Sequence, residues 1–406
     1  MRASPARPPA ASRQWSRHTE RASLSMRDPM LKQAIAAYEA IDDLALKLEL
    51  AREIALTRGA ELTLAYRNVV MVASGFKRKK KAGKQALLEV PCVILVVRRK
   101  VAKADLALSA AQFIPRHLLA LATWQGERVL VAVPTDVQAE SFHWAGAAQS
   151  LREIYANPPA DEYGALAALV DVRENGATQR YGLTAQHVLS PNFVAAGTKA
   201  RKGRVVDRAD GRPQPASAPS IGRSSKVGGV IVEGPSRKSF DAQLIELDDE
   251  TQAARMLGSL PLDPNEPFVA GHPRLAALIA QGRPFEIRVA DNHPLVSGPR
   301  PRMFGQFHRW MPPTLGIKYR SADDDLFFVH HEELVEVECL GADSTIGGDS
   351  GSLVVMWLDN QHCTIVGMHV SGSGPFARML PAWHVFDAAR YNGLAPGASI
   401  QPVPIP

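Results

Sequence analysis

Cysteine is scarce in this chain, with three residues (Cys92, Cys339 and Cys363) among 406. The odd number and the lack of any C-x-x-C pair argue against a disulfide framework and against a cysteine-based zinc or redox site. Chains with few cysteines are typical of reducing compartments, so the expected location is the cytoplasm.

Long apolar runs and a large excess of one charge are lacking as well. No stretch approaches the run of about 18 apolar residues that indicates a membrane span. The net charge of +6 is modest for this length, so it predicts neither a nucleic-acid nor a membrane partner. The content of apolar residues (46%) and charged residues (22%) is that of an ordinary globular protein. The length allows two or three domains.

Residues 1–27 are rich in Arg, Ser, Ala and Pro and contain no apolar core segment. This composition does not fit a secretory signal peptide. The prolines at positions 5, 8 and 9 do not suit the amphipathic helix of a mitochondrial transit peptide. We expect a disordered tail over 1–27, or an upstream start codon with Met26 as the true first residue.

Asp28-Pro29 is typical of a helix N-cap followed by proline at the first helical position. Apolar residues then recur at three- and four-residue steps: Leu31, Ile35, Tyr38, Ile41, Leu44 and Leu48. With Gly59 as the stop, the pattern predicts one amphipathic helix over 28–59, roughly 45 Å long. Packing on the following domain and self-association as a coiled coil both explain this pattern.

Strand-like runs at 63–73, 86–97 and 128–133 predict a small α/β (α+β) domain with its linker over 60–157. The linker is expected around a short helical pattern at 146–155 and Pro158-Pro159. The five cations at 77–81 are predicted to form a hairpin loop. A solvated loop is favoured over a nucleic-acid contact, because no aromatic residues interleave for base stacking.

From residue 158 the sequence pattern changes to short strand-like runs separated by Gly, Pro, Asn and Asp turns, which predicts an all-β domain over 158–396. Two interruptions, 272–282 and 381–393, have helical patterns. The segment 202–228 is rich in Gly, Pro, Ser, Arg and Lys and predicts a long exposed loop, and 397–406 is expected to be a C-terminal tail.

The hexapeptide GGDSGS (347–352) lies between two apolar runs. A glycine-flanked serine on such a turn can combine a nucleophilic hydroxyl with backbone N–H groups that converge on a developing oxyanion. Serine is a weak nucleophile without a histidine and a carboxylate to activate it. His187, after a strand-like run, and Asp241, at the entrance of an apolar strand, are the candidates. Taken one at a time, each of these residues also fits a purely structural role.

Three motifs together resemble those of the chymotrypsin-like (trypsin-fold) serine proteases. Thr184-Ala185-Gln186-His187 is similar to the family's TAAHC, Asp241-Ala242-Gln243-Leu244 to DIAL, and residues 348–353 to GDSGGP. The resemblance covers about 160–390.

The resemblance implies an all-β double barrel, with two six-stranded antiparallel barrels behind the N-terminal helix and α/β domain. It further implies a serine endopeptidase that acts on protein or peptide substrates without a cofactor. Ser350 would be the nucleophile, His187 the general base and Asp241 the orienting carboxylate, with an oxyanion hole made by the N–H groups of Gly348 and Ser350.

Val188 stands where the family often has cysteine, as in relatives that lack that disulfide. Activation by a newly cut N-terminus is not expected, so Asp349 should find another partner.

A second run, GMHVSG (367–372), resembles the GMHVGG of picornaviral 3C-type proteases. The resemblance implies that His369 and Thr345 line the S1 pocket and favour Gln or Glu at P1. A trypsin-like pocket built on Asp343 and a purely structural His369 are the alternatives.

The run His330-His331-Glu332-Glu333 is assigned no metal, because neighbouring strand residues point to opposite faces. The competing function is a catalytically silent module that binds a peptide or protein partner.

Overall fold

The structure is a computed structural model. It describes residues 29–66, 68–81, 84–97, 114–139, 153–156, 163–189, 205–208, 220–289, 302–312, 316–320, 326–340 and 344–406. Residues 1–27, expected to form a tail, and Pro158-Pro159 lie outside this part. No helix in the described ranges is long and apolar enough to cross a membrane.

The N-terminal segment predicted as one helix over 28–59 forms two helices. They are α1 (Pro29–Glu39) and α2 (Leu44–Ala65). The Asp43 carboxylate accepts the backbone N–H of Ala45 at 2.9 Å and starts the second helix. The apolar period continues across the break because Ile41, between the helices, is itself fully buried. Gly59 does not stop the helix, since α2 continues for six more residues.

Both helices pack on a sheet of the same chain. Its strands are β1 (Val69–Lys81), β2 (Lys84–Val97), β3 (His117–Trp124) and β4 (Glu127–Ala139). Leu50, Ile54 and Leu62 of α2 share a buried core with Val72 and Leu95. These contacts account for the apolar face of the helix and agree with an α/β unit in this region.

Two local predictions in the N-terminal unit were wrong. Residues 63–65 are the last turn of α2 rather than the start of a strand. The five cations at 77–81 belong to β1, because β1 and β2 pair as far as Lys81 opposite Lys84. The pairing shifts register between Phe76 and Arg78, so the cationic part of β1 has its own register with β2.

Six strands close into a barrel in the order β13-β18-β19-β20-β17-β14, and β14 completes the ring by pairing with β13. They are β13 (Phe285–Ile287), β14 (Met303–Met311), β17 (Leu334–Cys339), β18 (Leu353–Trp357), β19 (Cys363–Ser373) and β20 (Phe376–Pro381). Phe285, Phe307, Val335, Val354 and Met379 lie in its buried core. One of the two expected barrels is therefore present.

The N-terminal sheet continues directly into this barrel. β1 pairs with β14, with Ser74 opposite Trp310 and Gly75 opposite Arg309. A side chain at Gly75 would come within 2.2 Å of the His308 carbonyl oxygen, so glycine permits the close approach. The ten strands from β3 to β13 thus form one sheet, and the N-terminal unit is attached to the barrel by backbone pairing.

The other large sheet runs β21-β7-β8-β12-β10-β9-β5-β6. Its strands are β5 (Glu153–Ala156), β6 (Tyr163–Ala165), β7 (Ala168–Glu174), β8 (Ala177–Thr184), β9 (Val205–Arg208), β10 (Ser220–Gly228), β12 (Gln243–Leu247) and β21 (Ser399–Pro402). Its two end strands do not pair with each other in the described ranges, so the second six-stranded barrel is not confirmed.

A third sheet has the order β11-β16-β15. Its strands are β11 (Gly234–Ser239), β15 (Gly316–Arg320) and β16 (Leu326–His331). β16 pairs with both neighbours: it runs parallel to β11 and antiparallel to β15.

The remaining helices are short: α3 (Gln186–Leu189), α4 (Glu250–Leu257), α5 (His272–Ala280), α6 (Ala382–Val385) and a 3-10 turn at Ala388–Arg390. α5 confirms the helix predicted at 272–282. The helix predicted at 381–393 is reduced to α6 and the 3-10 turn.

Three predictions of irregular segments were wrong. The expected loop at 202–228 contains β9 and β10, and the helical pattern at 146–155 overlaps β5. The expected tail at 397–406 contributes β21, which pairs with β7. Of these strands only β21 lies at a sheet edge, where its Pro402 is tolerated.

Candidate active site

His187 and Asp241 are brought together by two neighbouring strands. Thr184, at the end of β8, pairs with Gln243, at the start of β12. Because the strands are antiparallel, the residues just after β8 and just before β12 meet at the same edge of the sheet. His187 follows in α3, and Asp241 precedes β12 by two residues.

The Asp241 carboxylate holds His187 at two points. Its Oδ2 lies 2.7 Å from His187 Nδ1, and its Oδ1 accepts the His187 backbone N–H at 3.0 Å. Asp241 is fully buried. Such a contact fixes the tautomer in which Nδ1 carries the proton and Nε2 is the basic nitrogen.

Tyr319 and His331 complete the surroundings of Asp241, a position that sequence analysis predicted for neither residue. The Tyr319 hydroxyl donates to Asp241 Oδ2 at 2.7 Å and lies 3.3 Å from His331 Nε2. The Tyr319 ring stands edge-on to the His187 ring, with centroids 5.4 Å apart. The four side chains form one buried polar group.

The charges of this group are set by burial and by the contacts. Burial alone raises the pKa of Asp241, but the charge and hydrogen bond of His187, the nearby His331 and the Tyr319 hydroxyl outweigh it, so the pKa is lowered and Asp241 is ionised. Burial and the Asp241 charge raise the pKa of Tyr319 well above its ordinary value, which keeps it a donor. Burial lowers the pKa of His331 to about 4, so it is neutral at pH 7.

The turn that carries Ser350 depends on its glycines. Gly348 has φ 95° and Gly351 has φ 90°, in the left-handed region that side chains disfavour. The Asp349 carboxylate accepts the backbone N–H of Ile346 at 2.9 Å, which closes the turn. This contact is a partner for Asp349 within its own turn.

Two N–H groups of the turn remain available. The N–H groups of Asp349, Gly351 and Ser352 donate to backbone carbonyls. Among the described residues, no acceptor takes the N–H of Gly348 or the N–H of Ser350. These are the two donors expected to form the oxyanion hole.

Gly164 lies close to both Ser350 and α3. The Ala165 N–H donates to the Ser350 carbonyl at 2.7 Å. A side chain at Gly164 would come within 2.1 Å of Val188 Cγ2 and 2.8 Å of the Ser350 carbonyl oxygen. The Ser350 hydroxyl makes a long contact of 3.4 Å to the Val370 carbonyl, which a rotation of the hydroxyl would release.

Thr345 packs against β19, the strand that carries His369. A side chain at Gly372 would come within 1.9 Å of Thr345 Oγ1, so the absence of one makes room for the hydroxyl. Within the described ranges, Thr345 Oγ1 is buried without a hydrogen-bond partner. The His369 side chain is buried as well. Asp343, the alternative pocket residue, lies outside the described residues.

His331 of the His330-His331 pair contacts Tyr319. No group of three or more His, Cys, Asp or Glu side chains in the described part of the chain is placed to hold a metal ion.

Comparisons with known proteins add little to this geometry. No protein-family model matches the chain, and no curated protein sequence does. Among solved structures, the NS6 protease from murine norovirus 1 is similar at 14% identity and a TM-score of 0.24, over 50% of this chain and 80% of that chain. A likeness at this level carries no argument for function.

Proposed function

We propose that this chain is a serine endopeptidase of the chymotrypsin-like type. The observation that carries the proposal is the two-point hydrogen bond between His187 and Asp241. It is supported by Gly164, where a side chain would meet both Val188, the neighbour of His187, and the Ser350 carbonyl oxygen. An ionised, buried carboxylate on Nδ1 leaves Nε2 as a base, which a serine nucleophile needs.

In this proposal Ser350 attacks the scissile carbonyl while His187 Nε2 takes its proton. Asp241 stabilises the imidazolium that forms, and His187 then gives the proton to the leaving amine. The N–H groups of Gly348 and Ser350 stabilise the tetrahedral oxyanion. Removing one such donor lowers the rate by about 100- to 1000-fold in related sites. Water then hydrolyses the acyl-enzyme by the same route.

A preference for Gln or Glu at P1 belongs to the same proposal. Thr345 Oγ1 has no partner among the described residues and lies beside the strand of His369. A hydroxyl and an imidazole can both bond a side-chain amide or carboxylate. Substrates of this kind would satisfy the buried hydroxyl.

A silent peptide-binding module is the competing function. The observation in its favour is burial, since His187 and Ser350 are each only 3% exposed. A small electrophile is therefore a better first probe than a peptide.

The test is labelling by a small fluorophosphonate. Wild type should be labelled, Ser350→Ala should not, and His187→Ala should react much more slowly. Ser352→Ala is the matched control, because Ser352 is a buried serine of the same turn. Equal labelling of wild type and Ser350→Ala would overturn the proposal. Labelling without hydrolysis of any protein or peptide would favour the silent module.

A further inference from the structure

We propose that Tyr319 is a positioning residue that holds the Asp241 carboxylate in the orientation that directs His187 towards Ser350. The inference rests on the proposed function, because positioning has meaning only if His187 acts as the base. Tyr319 itself is 1% exposed and has no surface to offer to a substrate.

The contacts around Asp241 show what the hydroxyl adds. Oδ1 accepts a hydrogen bond from the His187 backbone N–H. Oδ2 accepts hydrogen bonds from the His187 ring nitrogen Nδ1 and from the Tyr319 hydroxyl. Both contacts from His187 come from the β8 side. The Tyr319 hydroxyl reaches the carboxylate from β15, which lies in a different sheet from β8. The hydroxyl thus adds a third hydrogen bond to a carboxylate that His187 already engages through both oxygens.

The fold fixes the distance between Tyr319 and Asp241. Tyr319 lies on β15, which pairs with β16, and β16 runs parallel to β11 with His331 opposite Ser239. Ser239 precedes Asp241 by two residues. The hairpin that carries the hydroxyl is thus attached by backbone pairing to the strand that delivers the carboxylate.

His331 in turn orients the hydroxyl. The hydroxyl has one hydrogen, and the 2.7 Å contact with Asp241 uses it. The contact with His331 Nε2 at 3.3 Å then requires the ring N–H to donate to the hydroxyl oxygen. A neutral His331 in the Nε2–H form can do so, and it leaves Tyr319 a single direction in which to donate.

The charged and titratable groups that act on this pair come from several elements. His187 and His331 both act on Asp241, and the buried Arg378 acts on Tyr319. Donation from Tyr319 spreads part of the Asp241 charge away from His187. When the Tyr319 hydroxyl is removed, the full negative charge of Asp241 faces His187, which stabilises the protonated form of His187.

The test compares Tyr319→Phe with Tyr38→Phe on the full chain. Both tyrosines are buried and donate one hydroxyl hydrogen bond, at 2.7 Å from Tyr319 to Asp241 and at 2.8 Å from Tyr38 to the Pro91 carbonyl. Tyr319→Phe should lower kcat roughly tenfold at unchanged KM, because a bond to a charged group is lost. It should also move the acidic limb of kcat/KM to higher pH. Tyr38→Phe should leave both unchanged.

The outcomes separate this inference from the proposed function. An active wild type with a Tyr319→Phe variant of wild-type kcat and pH profile overturns the inference alone. If labelling of the wild type does not depend on Ser350, both the inference and the proposed function are wrong. If Tyr319→Phe does not fold, a site-specific fluorotyrosine at 319 keeps the shape and donates more strongly. It should move the acidic limb to lower pH, and an unmoved limb overturns the inference.

Discussion

The buried His331 is predicted to make the fold sensitive to mild acid. Burial lowers its pKa from 6.5 to about 4, although the Asp241 charge partly opposes this. As pH falls below 6.5, the unfolded chain binds a proton on this imidazole that the folded chain does not. Stability from this group is therefore complete above pH 6.5 and is lost progressively towards pH 4.

The magnitude follows from the two values. One pKa unit corresponds to about 1.36 kcal/mol, so the difference between 6.5 and about 4 lowers the free energy of unfolding by about 3 kcal/mol at pH 4. By pH 5 the loss is about 2 kcal/mol, since most of the proton uptake by the unfolded chain is then complete.

The assay is urea unfolding of wild type and His331→Gln at about pH 7.5 and about pH 5. Glutamine stays neutral throughout, and its amide can donate to Tyr319 as the ring does. Titrating groups remote from His331 are common to both proteins and cancel in the difference, whereas Asp241 and His187 interact with His331 directly. Wild type should lose about 2 kcal/mol more than the variant between the two pH values. An equal loss in both proteins would refute the argument.

Two further predictions concern the serine turn and its pocket. Gly164→Ala should lower the rate of fluorophosphonate labelling more than tenfold and reduce stability, because the new methyl group would collide with Val188 and the Ser350 carbonyl. The control is Gly176→Ala, in an open turn at φ 79° with nothing within 4 Å, which should cost about 1 kcal/mol of stability and keep the labelling rate. Normal labelling of Gly164→Ala would argue against the close packing. Thr345→Val should lower kcat/KM for Gln or Glu at P1 by about tenfold while labelling stays normal. A wild-type preference for Arg or Lys at P1 would contradict the proposed pocket.

The local part of the site could be predicted from sequence. The glycines around Ser350 mark a turn with unusual backbone angles, and the structure has that turn. His187 and Asp241 each border an apolar strand-like run, and the pairing of those strands makes the two side chains meet. Patterns of this kind work because the information lies within a few neighbouring residues.

The long-range part could not be predicted. Tyr319 is 78 residues from Asp241, and nothing near either residue indicates their contact. The pairing of β1 with β14 and of β21 with β7 depends on which edges are left open once the sheets form. The break at Asp43 was hidden because the buried Ile41 continues the helical period.

The central claim is that Ser350 is a nucleophile activated by His187. The most direct measurement is mass-spectrometric mapping of the residue that a fluorophosphonate modifies in the native protein. We expect one phosphonyl group on Ser350, formed much more slowly in His187→Ala. Modification of a different residue, or an unmodified Ser350 in folded wild type, would contradict it.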